Sequence, residues 1–266
     1  MTEHPTAPAR RRALITGSLG GLGYAIAAAL ARSGCDVVLT DVGRTDTGAA
    51  RCDALAREHA IDARYVEADL SSHAGAVGLI DVLRESGALP DILVNNAVVR
   101  HFAPLESFPL DAWDRALAVN VSAAFGLARL SIPQMRARGW GRIVNMTSVY
   151  AFRGVADRVD YVTTKSALLG LTRAIAMETI DDGITCNAVA PGSVLTGAID
   201  ARVDRLAGSE RISRVDAERK FLAGKQPTGR FVNAEHVADL VAFLCGPSAE
   251  AITGAMIPMD GGWLAS

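Results

Sequence analysis

The stretch RALITGSLGGLGYAIAAALARSG, residues 12–34, constrains the architecture more than any other segment. It begins as RALITG (12–17), a continuous apolar run rather than an alternating one. A strand apolar on both sides must be covered on both faces, which is the condition of a parallel sheet. The run stops at glycine and resumes as the helical pattern LGYAIAAALARSG (22–34), closed by Gly34. The alternation then repeats. Further strand runs are DVVLTD (36–41), ARYVEADL (63–70), DILVNNA (91–97), GRIVNMTS (141–148) and GITCNAVAPG (183–192). Between them lie helical patterns over 47–60, 73–87, 109–139 and 160–179. Such an order implies a doubly wound parallel α/β sheet with helices on both faces.

With 266 residues, a single Rossmann-like domain over 12–266 accounts for the chain, behind a loose polar tail at 1–11. The charged helical stretch 197–226 falls between the last two strands, where it would form a substrate lid. A net charge of −2 gives no electrostatic reason to bind nucleic acid or an anionic membrane. No run is expected to reach the ~20 apolar residues of a membrane span. The N-terminal segment resembles a secretory leader in charge and apolarity, but glycines at 17, 20, 21 and 23 interrupt it, so strand, turn and helix is the preferred reading. Cys35, Cys52, Cys186 and Cys245 are scattered, and the five histidines show no ligand spacing. That pattern points to free thiols in a cytoplasmic protein and to no metal site.

Within TGSLGGLG, Gly17, Gly21 and Gly23 permit a tight turn and close approach of a pyrophosphate, while Leu22 opens a helix whose free N–H groups face the anion. Asp41 ends the second strand, 18 residues after Gly23. An acid there accepts ribose hydroxyls and repels a 2′-phosphate, favouring NAD over NADP; Arg44, close by, counts the other way. Tyr161 and Lys165 stand four apart on one helix face. A tyrosine with an ordinary pKa near 10 is a poor base, and a neighbouring ammonium would lower it.

These pieces come in a recognisable order: TGSLGGLG, Asp69–Leu70, NNA (95–97), Asn120 in VNV, Ser148 in MTS, Tyr161 with Lys165, Pro191–Gly192 with Thr196, and DGG (260–262). The chain resembles the short-chain dehydrogenase/reductase family along nearly its whole length. The resemblance implies NAD(P)-dependent interconversion of a secondary alcohol and a ketone, and a homotetramer built through the helices of Asn120 and Tyr161. It implies Tyr161 as the acid/base, Lys165 as its activator and ribose ligand, Ser148 on the reacting oxygen and Asn120 in a proton relay through water. Asp69, Leu70, Asn95 and Ala97 would line the adenosine side, with Pro191, Val194 and Thr196 by the nicotinamide. One departure is Val98, where the family usually has glycine; it implies a reshaped loop or a tolerated substitution.

Several stretches, including MRARGWGRIVN and GITCNAVAPGSVLT, are similar to the D-3-hydroxybutyrate dehydrogenase branch. At the positions aligned with that branch's carboxylate pocket, Arg100 and Arg202 replace glutamines, Tyr150 replaces a histidine, Arg158 a lysine and Ser193 a tryptophan, while Trp263 is retained. Arg158 and Arg202 also match arginines that hold a sulfonate in a coenzyme M-linked hydroxypropyl dehydrogenase branch. The resemblance therefore implies a small anionic hydroxy or keto acid, carboxylate or sulfonate, as substrate. The alternatives are arginines that are simply solvated, a 3-oxoacyl-carrier-protein reductase, and an inactive dinucleotide-binding scaffold.

Overall fold

The computed structural model describes residues 10–266, so the expected tail lies almost wholly outside the described residues. Seven parallel strands form one sheet in the order β3-β2-β1-β4-β5-β6-β7. They are β1 Arg12–Thr16, β2 Asp36–Thr40, β3 Ala63–Tyr65, β4 Ile92–Asn95, β5 Gly141–Met146, β6 Ile184–Pro191 and β7 Met256–Met259. Every residue of β4, β5 and β6 is buried, as continuous apolar runs require. The third strand is shorter than its sequence pattern: after Tyr65 the chain peels away, its backbone still donating from Val66 N–H to Leu39 O and from Ala68 N–H to Asp41 O. The seventh strand, for which the sequence carried no clear bounds, is a half-exposed edge containing Pro258.

Helices α1 Gly21–Arg32, α2 Thr45–His59 and α9 Ala234–Cys245 belong to one set, and α1 packs chiefly on α9. Opposite lie α3 His73–Glu85, α4 Leu110–Leu117, α5 Ala123–Ala137 and α6 Val159–Glu178. Ile15 and Val94 point into one apolar cluster and Leu14 and Leu93 into the other, so neighbouring residues of a strand feed the two faces. Ser72 caps α3 by accepting from Gly75 N–H at 3.2 Å, and Asn233 caps α9 by accepting from Glu235 N–H at 2.7 Å.

Two expectations change here. The stretch 109–139 is not one regular helix: Ala118–Ser122 form a π-helical turn between α4 and α5, and Asn120 sits in it. Leu110–Ala137 is also, contrary to expectation, 28 residues long and apolar enough to cross a membrane. Part of it is already covered: Ala123, Leu127, Ala128 and Met135 are buried in the core on the α3 face of the sheet.

The stretch expected to form a lid folds as two helices, α7 Gly197–Glu210 and α8 Arg214–Leu222. Arg214 ties α8 to α7 through Asp200 and Asp204, and pairs with Glu218 within α8.

Candidate active site

The strand order reverses between β1 and β4, whose neighbouring connections run to opposite sides; a crevice opens there at the carboxyl ends of the strands. Thr16 Oγ1 joins the two strand ends by accepting from Asn96 N–H and Ala97 N–H, both at 2.9 Å. Gly17 has φ +62°, and a Cβ on it would stand 2.8 Å from Ala97 Cα. A Cβ on Gly23 would stand 2.2 Å from Gly17 O. Glycine at both positions is required by contact, not merely by turn preference. Helix α1 then starts at Gly21 with no side-chain cap and no acid in its first turn. Its N–H groups are left for an anion.

The resulting cleft has a volume of about 470 Å³. Gly17, Gly21, Leu22, Gly23, Asp41, Asp69, Leu70, Ala97, Tyr161, Lys165, Pro191, Val194 and Thr196 all line it, as the sequence pattern requires. Asn95 does not. Its side chain turns into the sheet and donates to Asn145 Oδ1 at 2.8 Å, while Asn96 lines the cleft and donates to Thr16 O and Gly17 O. The Asp41 carboxylate accepts from Leu19 N–H at 3.2 Å and from Val42 N–H at 2.9 Å, which fixes it at the rim. Val98 does not adopt positive φ, so valine carries no backbone strain there.

At the cleft's inner end, Ser148 follows β5 and Tyr161 and Lys165 rise from α6. Lys165 is 3% exposed, and its Nζ donates to Met146 O at 2.6 Å. Burial, reinforced by Arg100, pushes its pKa down to about 7. Tyr161 differs from expectation. Burial raises its pKa, and the groups pulling it back are the Ser148 hydrogen bond and then Arg100 and Arg158. Lys165 Nζ stands 5.6 Å from the phenol ring, so the lysine alone does not set the titration.

Asn120 has its side chain fully engaged: its two amide protons go to Val99 O at 2.9 Å and Thr164 Oγ1 at 3.1 Å, while its Oδ1 accepts from Val99 N–H at 2.9 Å. The side chain is thus a clamp on the loop after β4. Asp160, which sequence reasoning missed, is a second clamp. It is fully buried, and Oδ2 accepts from His101 N–H at 2.8 Å while Oδ1 accepts from Tyr161 N–H at 2.6 Å. Together they hold Arg100 and Phe102 against α6.

The remaining sequence candidates gather beside Tyr161. Tyr150 stacks edge-on to Tyr161 at 6.2 Å and to Trp263 at 5.3 Å. The Arg158 guanidinium lies 4.5 Å from the Phe102 ring and 5.6 Å from Tyr150. Arg202 reaches in from the lid, 5.7 Å from Phe102 and 5.6 Å from Phe221. Phe102, Phe221 and Lys225 were not singled out from sequence. They come from two distant segments, the loop after β4 and the stretch 221–225, and carried no local signal.

A family model described as enoyl-(acyl carrier protein) reductase matches residues 17–264. The D-beta-hydroxybutyrate dehydrogenase of Cupriavidus necator is 36% identical over 96% of this chain and 98% of its own length. The chain belongs to the short-chain dehydrogenase/reductase family. As a member it is an oxidoreductase acting on CH–OH groups of a small molecule, with a nicotinamide dinucleotide as cofactor. The 3-oxoacyl-(acyl-carrier-protein) reductase of Aquifex aeolicus is 34% identical over 94% of this chain and 95% of its own. Among solved structures, the L-sorbose reductase of Gluconobacter frateurii complexed with NADPH and L-sorbose superposes with a TM-score of 0.92 at 29% identity. The match covers 97% of this chain and 98% of that one. The crowded glycines and the uncapped start of α1 fit this family's dinucleotide without adjustment. No group of three or more His, Cys, Asp or Glu residues that could hold a metal occurs among the described residues.

Proposed function

We propose that the protein is an NAD-dependent dehydrogenase of a small anionic hydroxy acid, interconverting a secondary alcohol and a ketone. The observation that carries this reading is the group of arginines beside Tyr161. Arg100, Arg158 and Arg202 form no ion pair with any carboxylate among the described residues, whereas Arg214 in the same lid takes three. Unpaired guanidiniums around a reaction centre suit a carboxylate or sulfonate, which they bind with two parallel hydrogen bonds.

In this reading the bound nicotinamide accepts or supplies the hydride. Tyr161 removes the hydroxyl proton on oxidation and returns it on reduction. Ser148 donates a hydrogen bond to the reacting oxygen, and the ammonium of Lys165 steadies the phenolate. Asn120 and Asp160 keep the Arg100 loop in register with Tyr161. The protonated lysine needs support once buried, and a sugar hydroxyl of the bound dinucleotide beside it would provide it. A homotetramer through α4, α5 and α6 is part of the proposal, supported by exposed Leu110, Phe125 and Met177. So is a cytoplasmic location, supported by four buried free cysteines.

The preference for NAD rests on Asp41. Its carboxylate is held at the cleft rim by two backbone amides and retains lone pairs for the ribose hydroxyls. The test is reduction of NAD and of NADP with a panel of hydroxy acids and neutral alcohols. The expected result is turnover of acids with NAD. Asp41→Ala should shift the ratio of kcat/KM values toward NADP by about tenfold or more, the effect of losing charge-assisted hydrogen bonds and a repulsion. An unchanged ratio removes Asp41 from the argument. NADPH-dependent reduction of a 3-oxoacyl thioester, with no oxidation of free acids, would replace this reading by the carrier-protein one.

A further inference from the structure

The arginines beside Tyr161 do not end the row of positive charge. Lys225, at the end of the lid, has its Nζ 3.9 Å from the Phe221 ring and donates to Phe221 O at 2.6 Å. The Phe221 ring also lies 5.6 Å from the Arg202 guanidinium, and the Phe102 ring serves both Arg202 and Arg158. The row therefore runs Tyr161, Tyr150, Arg158, Phe102, Arg202, Phe221, Lys225, each step through an aromatic ring. Arg100 stands near its inner end, lining the same cleft as Tyr161 and Lys165.

Two tiers can be separated. Arg100 and Arg158 act on Tyr161 directly, and they form the inner tier. Arg202 and Lys225 share the Phe221 ring, at 5.6 and 3.9 Å, and they form the outer tier. None of the four has a carboxylate partner among the ion pairs of the described residues. The acids of the lid are spent elsewhere: Asp200, Asp204 and Glu218 on Arg214, and Glu210 on Lys220. Arg100 lines the dinucleotide's cleft, but Arg158, Arg202 and Lys225 lie outside its lining, so the outer part of the row is not there for the dinucleotide. Four like charges, three of them on aromatic walls, repel one another, and aromatic faces offset only part of that. One monoanion beside the reacting carbon would satisfy the inner tier and leave the outer one uncompensated.

We propose that the substrate carries two anionic groups, one held by Arg100 and Arg158 next to the reacting carbon and the second held by Arg202 and Lys225 under the lid. This rests on the reading of the protein as a dehydrogenase of an anionic hydroxy compound and adds its charge and length. The shared chemistry is a hydroxy acid with a remote second anion. A second carboxylate and a phosphate ester both supply it. Lys225 is then a specificity-determining residue, acting on the far end of the substrate and not on the reacting atoms.

The test compares kcat/KM for 3-hydroxybutyrate, 3-hydroxyglutarate and 3-hydroxy-4-phosphobutyrate, with methyl 3-hydroxybutyrate as the uncharged control. At least one doubly charged compound should exceed 3-hydroxybutyrate by about 30-fold, within the range of one or two charge-assisted contacts. Which of the two leads identifies the second group. Lys225→Gln should cut that advantage about tenfold through KM, and Lys225→Arg should restore most of it. Equal kcat/KM for the singly and doubly charged acids overturns the proposal, as does a Lys225→Gln loss that is the same for both. A methyl ester as good as the acids overturns the anionic reading beneath it, which is a different outcome. If none of these alcohols turns over, calorimetry of glutarate against butyrate on the enzyme–NAD complex decides: tighter glutarate binding supports the proposal, and equal binding overturns it.

Discussion

Tyr161→Phe is expected to lower kcat by about a thousandfold or more, since it deletes the group that exchanges the proton. Binding of the dinucleotide, followed by fluorescence titration, should change by no more than about threefold, because the ring and its packing on Tyr150 remain. The pH dependence of the unmodified enzyme has a determined sign. Burial raises the Tyr161 pKa, and oxidation needs the deprotonated form. The kcat/KM for oxidation should therefore climb with pH through the neutral range and level off only above the tyrosine's folded pKa. Reduction needs the protonated form, so it should hold at neutral pH and fall as pH rises through the same value. Ser148→Ala removes the largest influence lowering that pKa, and should move both limbs to higher pH. Retained turnover in Tyr161→Phe, or an oxidation limb that falls with rising pH, would remove Tyr161 from the proton-transfer role.

Much of this site was legible because strands and helices leave different periods in a sequence. Continuous apolar runs predicted a parallel sheet, and the glycines between β1 and α1 predicted the cleft at its switch point. Tyr161 and Lys165 could be paired because a helix puts positions four apart on one face. What was not legible depends on contacts between distant segments. Asn95 and Asn96 are adjacent and chemically identical, and only the strand's alternation decides that the first faces Asn145 and the second the cleft. The π turn at Asn120 leaves no mark in an apolar helical pattern, so its clamp on Val99 was not foreseen. The balance of effects on Tyr161 depends on how deeply it and Lys165 are buried, and no spacing rule reports that. Nothing in the sequence around Lys225 singles it out, because only the Phe221 ring, seen in the fold, relates it to Arg202.

Arg158→Met should produce two effects of opposite sign. For an anionic substrate, kcat/KM should fall about a hundredfold or more, chiefly through KM, because a fork-shaped donor to the substrate anion is lost. The uncharged ester should lose far less. The ligand-free protein, however, should become more stable. Arg158 is half-buried against Phe102 and Tyr150, burial pushes its pKa below the usual arginine range, and Arg100 and Arg202 push it further. No carboxylate compensates it among the described ion pairs, so the folded state carries an uncompensated, partly desolvated charge until the substrate arrives. An apolar side chain of similar length keeps the aromatic packing and relieves the repulsion, a change worth about 1 kcal/mol. For a chain of this size that corresponds to a Tm about 2–4 °C higher by calorimetry. Arg158→Lys keeps a charge but not the planar fork, so it should recover part of the affinity and none of the stability. A solvated surface arginine would show neither effect. A fall in Tm with unchanged KM would mean that Arg158 supports the fold and not the substrate.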